Sequence, residues 1–268
     1  MVPSAFPMSR MTSFVREDAL IPYRASVFSA RRVLVLAPHP DDEVFGCGAA
    51  LADLRAKGAG LLVLVLSDGA GEEADPHTRR RIAGMRLDES KEALALLGGG
   101  EFRSAGFRDR GLWDAGAALP DAIEAALTAF APDLVFAPSP VEIHPDHRAT
   151  AAALVAVGER AARNSRVAEV LSAATVAFFE LSQPIRPNFL FDCGPHAGTK
   201  RRAMERFASQ NAERDYAGFV SGLNTYRRMT LPPGTTAAEG FYVVPGRELA
   251  HGVPALSRAM SPFVEETR

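Results

Sequence analysis

Residues 31–69 read RRVLVLAPHPDDEVFGCGAALADLRAKGAGLLVLVLSDG, and this stretch decides the architecture. Val33-Leu34-Val35-Leu36 is a continuous apolar run, as suits a strand buried on both faces. It ends at Ala37-Pro38-His39-Pro40, where two prolines forbid regular structure. A helix is predicted from about Asp42 to Lys57, stopped by Gly58 and Gly60. A second apolar run, Leu61 to Leu66, ends at Ser67-Asp68-Gly69. Strand, loop, helix and strand follow one another, and both strands are apolar throughout rather than alternating. That combination implies a parallel sheet covered on both faces.

The pattern recurs along the chain. Helices are predicted over Arg79–Leu97, Pro120–Phe130 and His147–Arg163, and strands over Glu101–Arg103, Leu134–Ala137 and Thr175–Glu180. The C-terminal third is punctuated by Pro184, Pro187 and Pro195. There, Phe189–Asp192 reads as an edge strand, Lys200–Ala217 as a helix and Phe241–Val244 as a late strand. The fold class expected is α/β: a Rossmann-like, three-layer αβα arrangement with a mainly parallel sheet and a mixed C-terminal subregion. No Ser, Gly or Pro-rich linker divides the chain, and no internal repeat is visible. The expected organisation is an N-terminal arm (1–30), one domain (31–250) and a C-terminal tail (251–268).

The chain has 268 residues, 47% of them hydrophobic and 23% charged, which is ordinary for a globular protein with a sizeable core. A formal net charge of -2 supplies no basic field for nucleic acid. Cys47 and Cys193 form no CxxC pair, so a disulfide framework and a zinc-thiolate site are both disfavoured and a reducing, cytoplasmic location is expected. No apolar run has the length of a membrane span. The first residues, MVPSAFPMSRMTSFVRED, lack the apolar core and cleavage site of a signal peptide.

Two segments carry chemistry: Pro38-His39-Pro40-Asp41-Asp42-Glu43 and His144-Pro145-Asp146-His147. Both follow predicted buried strands, and an open parallel sheet binds ligands at the carboxyl ends of its strands. The two clusters are therefore expected to meet at one edge of the sheet. His39, Asp41, Asp42, His144 and His147 offer the mixture of imidazole and carboxylate that suits a catalytic zinc ion, with Fe(II), Co or Mn able to substitute. Each motif alone also suits a turn or a capped helix start. Gly46-Cys47-Gly48 lacks the third glycine of a dinucleotide fingerprint, because position 51 is leucine, so these glycines are assigned to close helix–sheet packing.

VLVLAPHPDDEVFGCGAAL resembles the AHPDDE signature of the LmbE-like, PIG-L-type de-N-acetylases, and IHPDH resembles that family's second motif. SDGAGEE, MRLDESKEALALLG, GFRDRGL and PNFLFDCGPHAGTKRRAMERFASQ are similar to weaker family elements. The resemblance covers about residues 31–245. It implies zinc-dependent removal of an N-acetyl group from an N-acetylglucosamine-type substrate, with His39, Asp42 and His147 as ligands. It implies Asp41 as general base, His144 as acid or oxyanion stabiliser, Asp146 as the partner that orients His144, and Arg86 and Asp109 as sugar contacts. The extra Pro38 before His39 is the one departure from the first motif, and it lies outside the ligand set.

The same roles follow from chemistry once an ion is granted. Asp41 adjoins a ligand and can take a proton from water beside the metal. A protonated His144 would donate to a developing oxyanion, and Asp146 would fix its ring. Asp68, at a neighbouring strand end, faces either the substrate or the ligands, and Glu43 bonds to backbone or a ligand. His77 and His251 have no partner at ligand spacing, and His196 sits in a loop that could reach the site. Two other readings stay open: an amidase acting on a sugar-thiol conjugate through the same site, and a Rossmann-type sugar- or nucleotide-binding module without catalysis. The expected partner is a small amino sugar; nucleic acid is not expected, and a homo-oligomer is left open.

Overall fold

The computed structural model describes residues 16–161 and 164–261. Residues 1–15 of the expected arm, 262–268 of the expected tail and the last two of the expected helix over 147–163 lie outside the described residues. Seven strands form one sheet: β1 (Arg32–Ala37), β2 (Gly60–Ser67), β3 (Glu101–Phe107), β4 (Leu134–Pro138), β5 (Thr175–Phe179), β6 (Phe189–Asp192) and β7 (Ala238–Pro245). Their order is β3-β2-β1-β4-β5-β7-β6. The first five strands pair in parallel, and β7 lies antiparallel between β5 and β6. Among the described residues, α1 (Glu17–Leu20), α2 (Asp42–Ala56), α3 (Pro76–Leu96), α4 (Ala118–Phe130), α5 (Pro145–Arg160), α6 (Ser165–Ala173), α7 (Ala197–Met204), α8 (Ala208–Glu213), α9 (Tyr216–Arg227) and α10 (Val253–Met260) complete the fold.

The side-chain period of a strand explains why the central runs are apolar at every position. Val33, Val35 and Ala37 of β1 point to one core, shared with Val44, Leu51 and Leu54 of α2 and with Met204 and Phe207. Leu34 and Leu36 point to the other core, shared with Ile123 and Leu127 of α4, Leu154 and Val157 of α5 and Met260 of α10. Both faces are dry, which is the three-layer arrangement read from residues 31–69. Phe28 stacks on Phe189 at 4.2 Å and meets Phe136 and Phe241 edge-on at 5.1 Å, which seals the sheet beneath the incoming chain.

The strand order places the site. The chain runs outward from β1 to β2 and β3, then crosses to β4 on the other side of β1. The loops leaving β1 and β4 therefore diverge at the carboxyl edge and open a crevice between them. One loop carries His39 and the other His144.

Helix α2 is broken at Cys47, where φ is -141° and ψ is 20°. The break frees backbone groups on both sides, and a buried ion pair takes them up. The Glu239 carboxylate accepts from Ala49 N (2.8 Å) and Ala50 N (2.9 Å). Lys200 Nζ donates to Phe45 O (2.9 Å) and binds Glu239 (2.8 Å) and Asn224 Oδ1 (3.0 Å). The glycines flanking the break are steric requirements: a Cβ on Gly46 would lie 2.5 Å from the Phe179 ring, and one on Gly48 3.2 Å from Lys200 Cγ.

Three local expectations are corrected. The helix read over 200–217 is three helices, α7, α8 and α9, because Phe207 drops into the core and Asp215 caps a fresh start by accepting from Gly218 N (2.9 Å). Helix α6 was not expected. Its signals are Asn164, whose side chain accepts from Arg166 N (3.1 Å) and Val167 N (3.4 Å), and the apolar spacing of Val167, Val170 and Leu171. Strand β3 runs to Phe107, well past the expected Arg103, and stays mostly exposed at the sheet edge.

Helix propensity alone favours Gly46→Ala by about 1 kcal/mol. The Phe179 ring reverses that sign, and a net loss of about 1–3 kcal/mol is expected from overpacking. Urea unfolding at an unchanged m-value measures it.

Candidate active site

The first motif builds a tight, strained corner at the end of β1. Asp41 has φ 142° and ψ -30°, a conformation L residues rarely adopt. Four hydrogen bonds hold it. Its carbonyl accepts from Val44 N (2.9 Å) and Phe45 N (3.0 Å), and its amide donates to Glu43 Oε2 (3.1 Å). Arg86 Nη2 donates to its carboxylate at Oδ2 (2.7 Å). The result turns Asp41 and Asp42 toward the same crevice. Asp42, at the first turn of α2, also accepts the His39 amide (2.8 Å).

The two distant motifs meet here. The His39 and His147 ring centroids are 5.3 Å apart, and those of His39 and His144 are 4.6 Å apart. Asp42 bridges the imidazoles: its Oδ2 is 3.2 Å from His39 Nδ1 and its Oδ1 is 3.3 Å from His147 Nε2. Donors around a tetrahedral zinc ion with bonds of about 2.0–2.1 Å stand about 3.3–3.4 Å apart, a spacing that each of these two contacts matches, through different oxygens of Asp42. His39, His144 and His147 each offer a nitrogen within 4.8 Å of the others, and His39, Asp109 and Asp146 form a second such group.

Hydrogen bonding separates these groups into roles. His39 Nε2 lies 3.3 Å from Asp109 Oδ1 and 3.3 Å from Asp146 Oδ2, so two carboxylates hold its proton and leave Nδ1 turned toward Asp42. Asp146 also accepts from Arg110 N (2.7 Å) and Leu112 N (3.1 Å). The expected pairing of its carboxylate with His144 is thus replaced. Its backbone amide makes that contact instead, donating to His144 Nδ1 (3.2 Å), because His144 caps α5. The bond leaves the neutral ring's proton on Nε2.

The three residues expected to contact a sugar are turned to protein partners. Arg86 is buried and binds Asp41, Pro40 O and Gly69 O. Asp109 is buried between His39 and Gly71 N (2.9 Å). Asp68 takes Arg79 (2.6 Å) and the amides of Ala70 and Asp109 (3.2 Å each). A charge buried this deeply must find a counter-charge or several donors, and the nearest ones are in the corner itself. His196 lies 3.4 Å from Asp53, toward the far end of α2 from the motif residues. Sequence reasoning missed Glu142, which is 1% exposed and 3.7 Å from His147 Nδ1; its only signal is an acidic residue inside the loop that carries the second motif.

Burial and mutual charge tune every group. Burial works against a charged His39, but the bonds to Asp109, Asp146 and Asp42 outweigh it and raise its pKa well above the usual imidazole range. His147 is likewise opposed by burial and raised by Asp42, to about 9. Burial disfavours an ionised Asp42, yet His147 and His39 hold its carboxyl below the usual range. Burial lifts Asp41 to about 6 against the pull of Arg86. Burial and the charges of His39 and His147 lower His144 to about 4, in keeping with an Nδ1 that accepts a backbone amide and an Nε2 that can donate from the neutral ring.

The family model described as GlcNAc-PI de-N-acetylase matches residues 34–157. The chain is 28% identical over 231 residues to a diacetylchitobiose deacetylase of Thermococcus kodakarensis, covering 81% of this chain and 84% of that protein. In structure it is similar to an N,N'-diacetylchitobiose deacetylase from Pyrococcus horikoshii (TM-score 0.70, 24% identity, 88% of each chain). It also shares its fold with GalB, a 4-carboxy-2-hydroxymuconate hydratase from Pseudomonas putida KT2440 (TM-score 0.64, 20% identity, 80% of this chain and 96% of that one).

Glu43 is fully buried between Ser90 and the Asp41 amide, and burial lifts its carboxyl from 4.5 to about 8. The folded state therefore keeps a proton that the unfolded chain releases. The stability this group supplies is full below pH 4.5 and is lost as pH rises through about 8. Glu43→Gln stays neutral throughout, so its melting temperature should gain on the wild type progressively from pH 5 to pH 9. Thermal denaturation of both proteins across that range checks this. A difference independent of pH would show that Glu43 does not carry the proton.

Proposed function

We propose that the chain, which matches the PIG-L family model over residues 34–157, is a PIG-L (LmbE-like) protein and a divalent-metal-dependent hydrolase removing the N-acetyl group from an N-acetylglucosamine-type amino sugar or its conjugate. One observation carries the reading: two imidazoles from motifs about a hundred residues apart stand 3.2 and 3.3 Å from the two oxygens of one buried carboxylate, beside a second carboxylate on a strained backbone. A binding module has no use for that second carboxylate. Deacetylation of N-acetyl sugars is also what several relatives are named for, among them a 2'-N-acetylparomamine deacetylase of Streptomyces fradiae.

His39 through Nδ1, Asp42, and His147 through Nε2 would hold the ion, because the other nitrogen of His39 is occupied by Asp109 and Asp146 and Nδ1 of His144 by a backbone amide. Zinc suits this imidazole and carboxylate set, and iron(II) or another divalent transition metal would fit the same donors. When bound, the ion supplies Lewis acidity, lowering the pKa of water toward about 7 and polarising the amide carbonyl.

The chain's own residues do the rest. Asp41 takes the proton of the attacking water: Arg86 engages its Oδ2, and among the described residues no group donates to Oδ1. Its pKa near 6 places it close to the operating pH of a general base. His144 offers its Nε2 proton to the developing oxyanion as a neutral donor. The proton held by Asp41 is then available to the departing amine. Among the described residues no helix is long and apolar enough to cross a membrane. That and two free, buried cysteines fit a cytoplasmic enzyme acting on a small molecule.

Metal content and acetate release from a panel of N-acetyl sugars test the reading. The wild type should bind about one divalent ion and release acetate, and chelation should abolish release. Asp41→Asn should keep the ion while kcat falls at least about 100-fold. Wild-type turnover in that variant would remove Asp41 from its role. A loaded protein inert toward the whole panel would turn the reading to an amidase on a sugar-thiol conjugate.

A further inference from the structure

We propose that Glu142 is the carboxylate that receives the Nδ1 hydrogen of His147, and that through it the loop 181–185 is tied to the cation site; the inference rests on the metal site proposed above. A histidine that gives one nitrogen to a metal carries its hydrogen on the other. His147 turns Nε2 to Asp42, so the hydrogen belongs on Nδ1. That atom is buried and lacks a hydrogen-bond partner among the described residues. Glu142 Oε2 is 3.7 Å away, slightly beyond hydrogen-bond length, and is itself almost wholly buried. Histidine ligands nearly always hand this hydrogen to a carboxylate, carbonyl or water, and losing that partner weakens metal binding about 10–100-fold.

The same carboxylate does a second job. Its Oε1 accepts from Leu181 N (2.6 Å), and its Oε2 accepts from Ser182 N (3.1 Å) and Ser182 Oγ (2.6 Å). These residues begin the loop that leaves β5. The far end of the loop is pinned by another buried carboxylate: Glu180 accepts from Ile185 N (2.9 Å) and pairs with Arg227, which donates to Ile185 O (2.7 Å). Glu142 is therefore a positioning residue with two loads on one group. Drawing Oε2 toward His147 moves the anchor of Leu181 and Ser182 with it. Occupancy of the metal site and order in the loop are then linked, and linkage is reciprocal.

The test uses the full chain and zinc as the probe. Zinc affinity of the wild type and Glu142→Gln is measured by competition with a chromophoric chelator. Amide exchange at Leu181 and Ser182 is followed with and without zinc. Glutamine cannot accept at both positions, because its amino group faces the donors of the loop or of His147. The expected result is about a 10–100-fold weaker affinity in Glu142→Gln, with exchange at both amides slowed by zinc in the wild type and unresponsive in the variant. A wild type that binds zinc, with Glu142→Gln binding it equally well, overturns the assignment and leaves the proposed function standing. A wild type that binds no zinc overturns both. Should Glu142→Gln fail to fold, wild-type amides that exchange at the same rate with and without zinc overturn the proposal on their own.

Discussion

Four carboxylates are buried around two imidazoles at the mouth of the sheet, and the rest of the site follows from that concentration of charge. Asp42, Asp109, Asp146 and Glu142 are each less than a tenth exposed. Like charges this close in a poorly polarisable interior repel strongly, and each also gives up its hydration. Backbone amides meet part of the cost: Asp146 takes two, Glu142 two, and Asp42 and Asp109 one each. The remainder is met by positive charge. The high proton affinity of His39 and His147 expresses it, since a proton on each ring stands where a divalent ion bound to both would supply the same field. A cluster able to hold a cation is thus a consequence of the burial pattern, independent of any motif name.

The corner at Asp41 is the other costly feature, at about 1–3 kcal/mol for a residue held in so sparsely populated a conformation. Neighbours over-determine it. Glu43 holds its amide, the first turn of α2 holds its carbonyl, and Arg86 holds its carboxylate. Each of these restraints has its own support: Ser90 beneath Glu43, and Gly69 and Pro40 carbonyls around Arg86. Farther back, the Lys200–Glu239 pair satisfies both sides of the break in α2, so the half of the helix that carries Asp42 is braced against the sheet. The positions of Asp41 and Asp42 are thus held by a chain of buried polar contacts that reaches well behind the crevice.

What could be read in the sequence was what periodicity and strand ends control. Val33–Leu36 and Leu61–Leu66 declared a sheet dry on both faces, and two His/Asp motifs after such strands were bound to share its carboxyl edge. What could not be read was the direction of side chains inside the corner. Nothing in the spacing of Asp146 and His144 tells whether the carboxylate or the backbone amide meets the ring; helix capping decided for the amide. Arg86 looks like any helical arginine until the loops fold over it. Glu142 carries no period and no motif, and its role depends on a loop forty residues farther along the chain. The breaks at Phe207 and Asp215 were hidden for a related reason, since their cause is a tertiary contact and a cap rather than a helix breaker.

The likeness to a hydratase shows that this fold does not by itself choose a reaction. The choice lies in the crevice, and the inward turn of Arg86, Asp109 and Asp68 divides the labour there. His39, Asp42, His147 and the groups around Asp41 are buried and mutually bonded, so their geometry resists change. The segments after β3 and β4 leave other residues in solvent: Trp113 is 65% exposed, one residue past Leu112, whose amide holds Asp146, and Ile143 is 63% exposed, one residue before His144. Substitution at either position disturbs no buried hydrogen bond. The buried charges and the exposed positions are therefore separable on this scaffold: a side chain can change at Trp113 or Ile143 while the hydrogen bonds beneath stay in place.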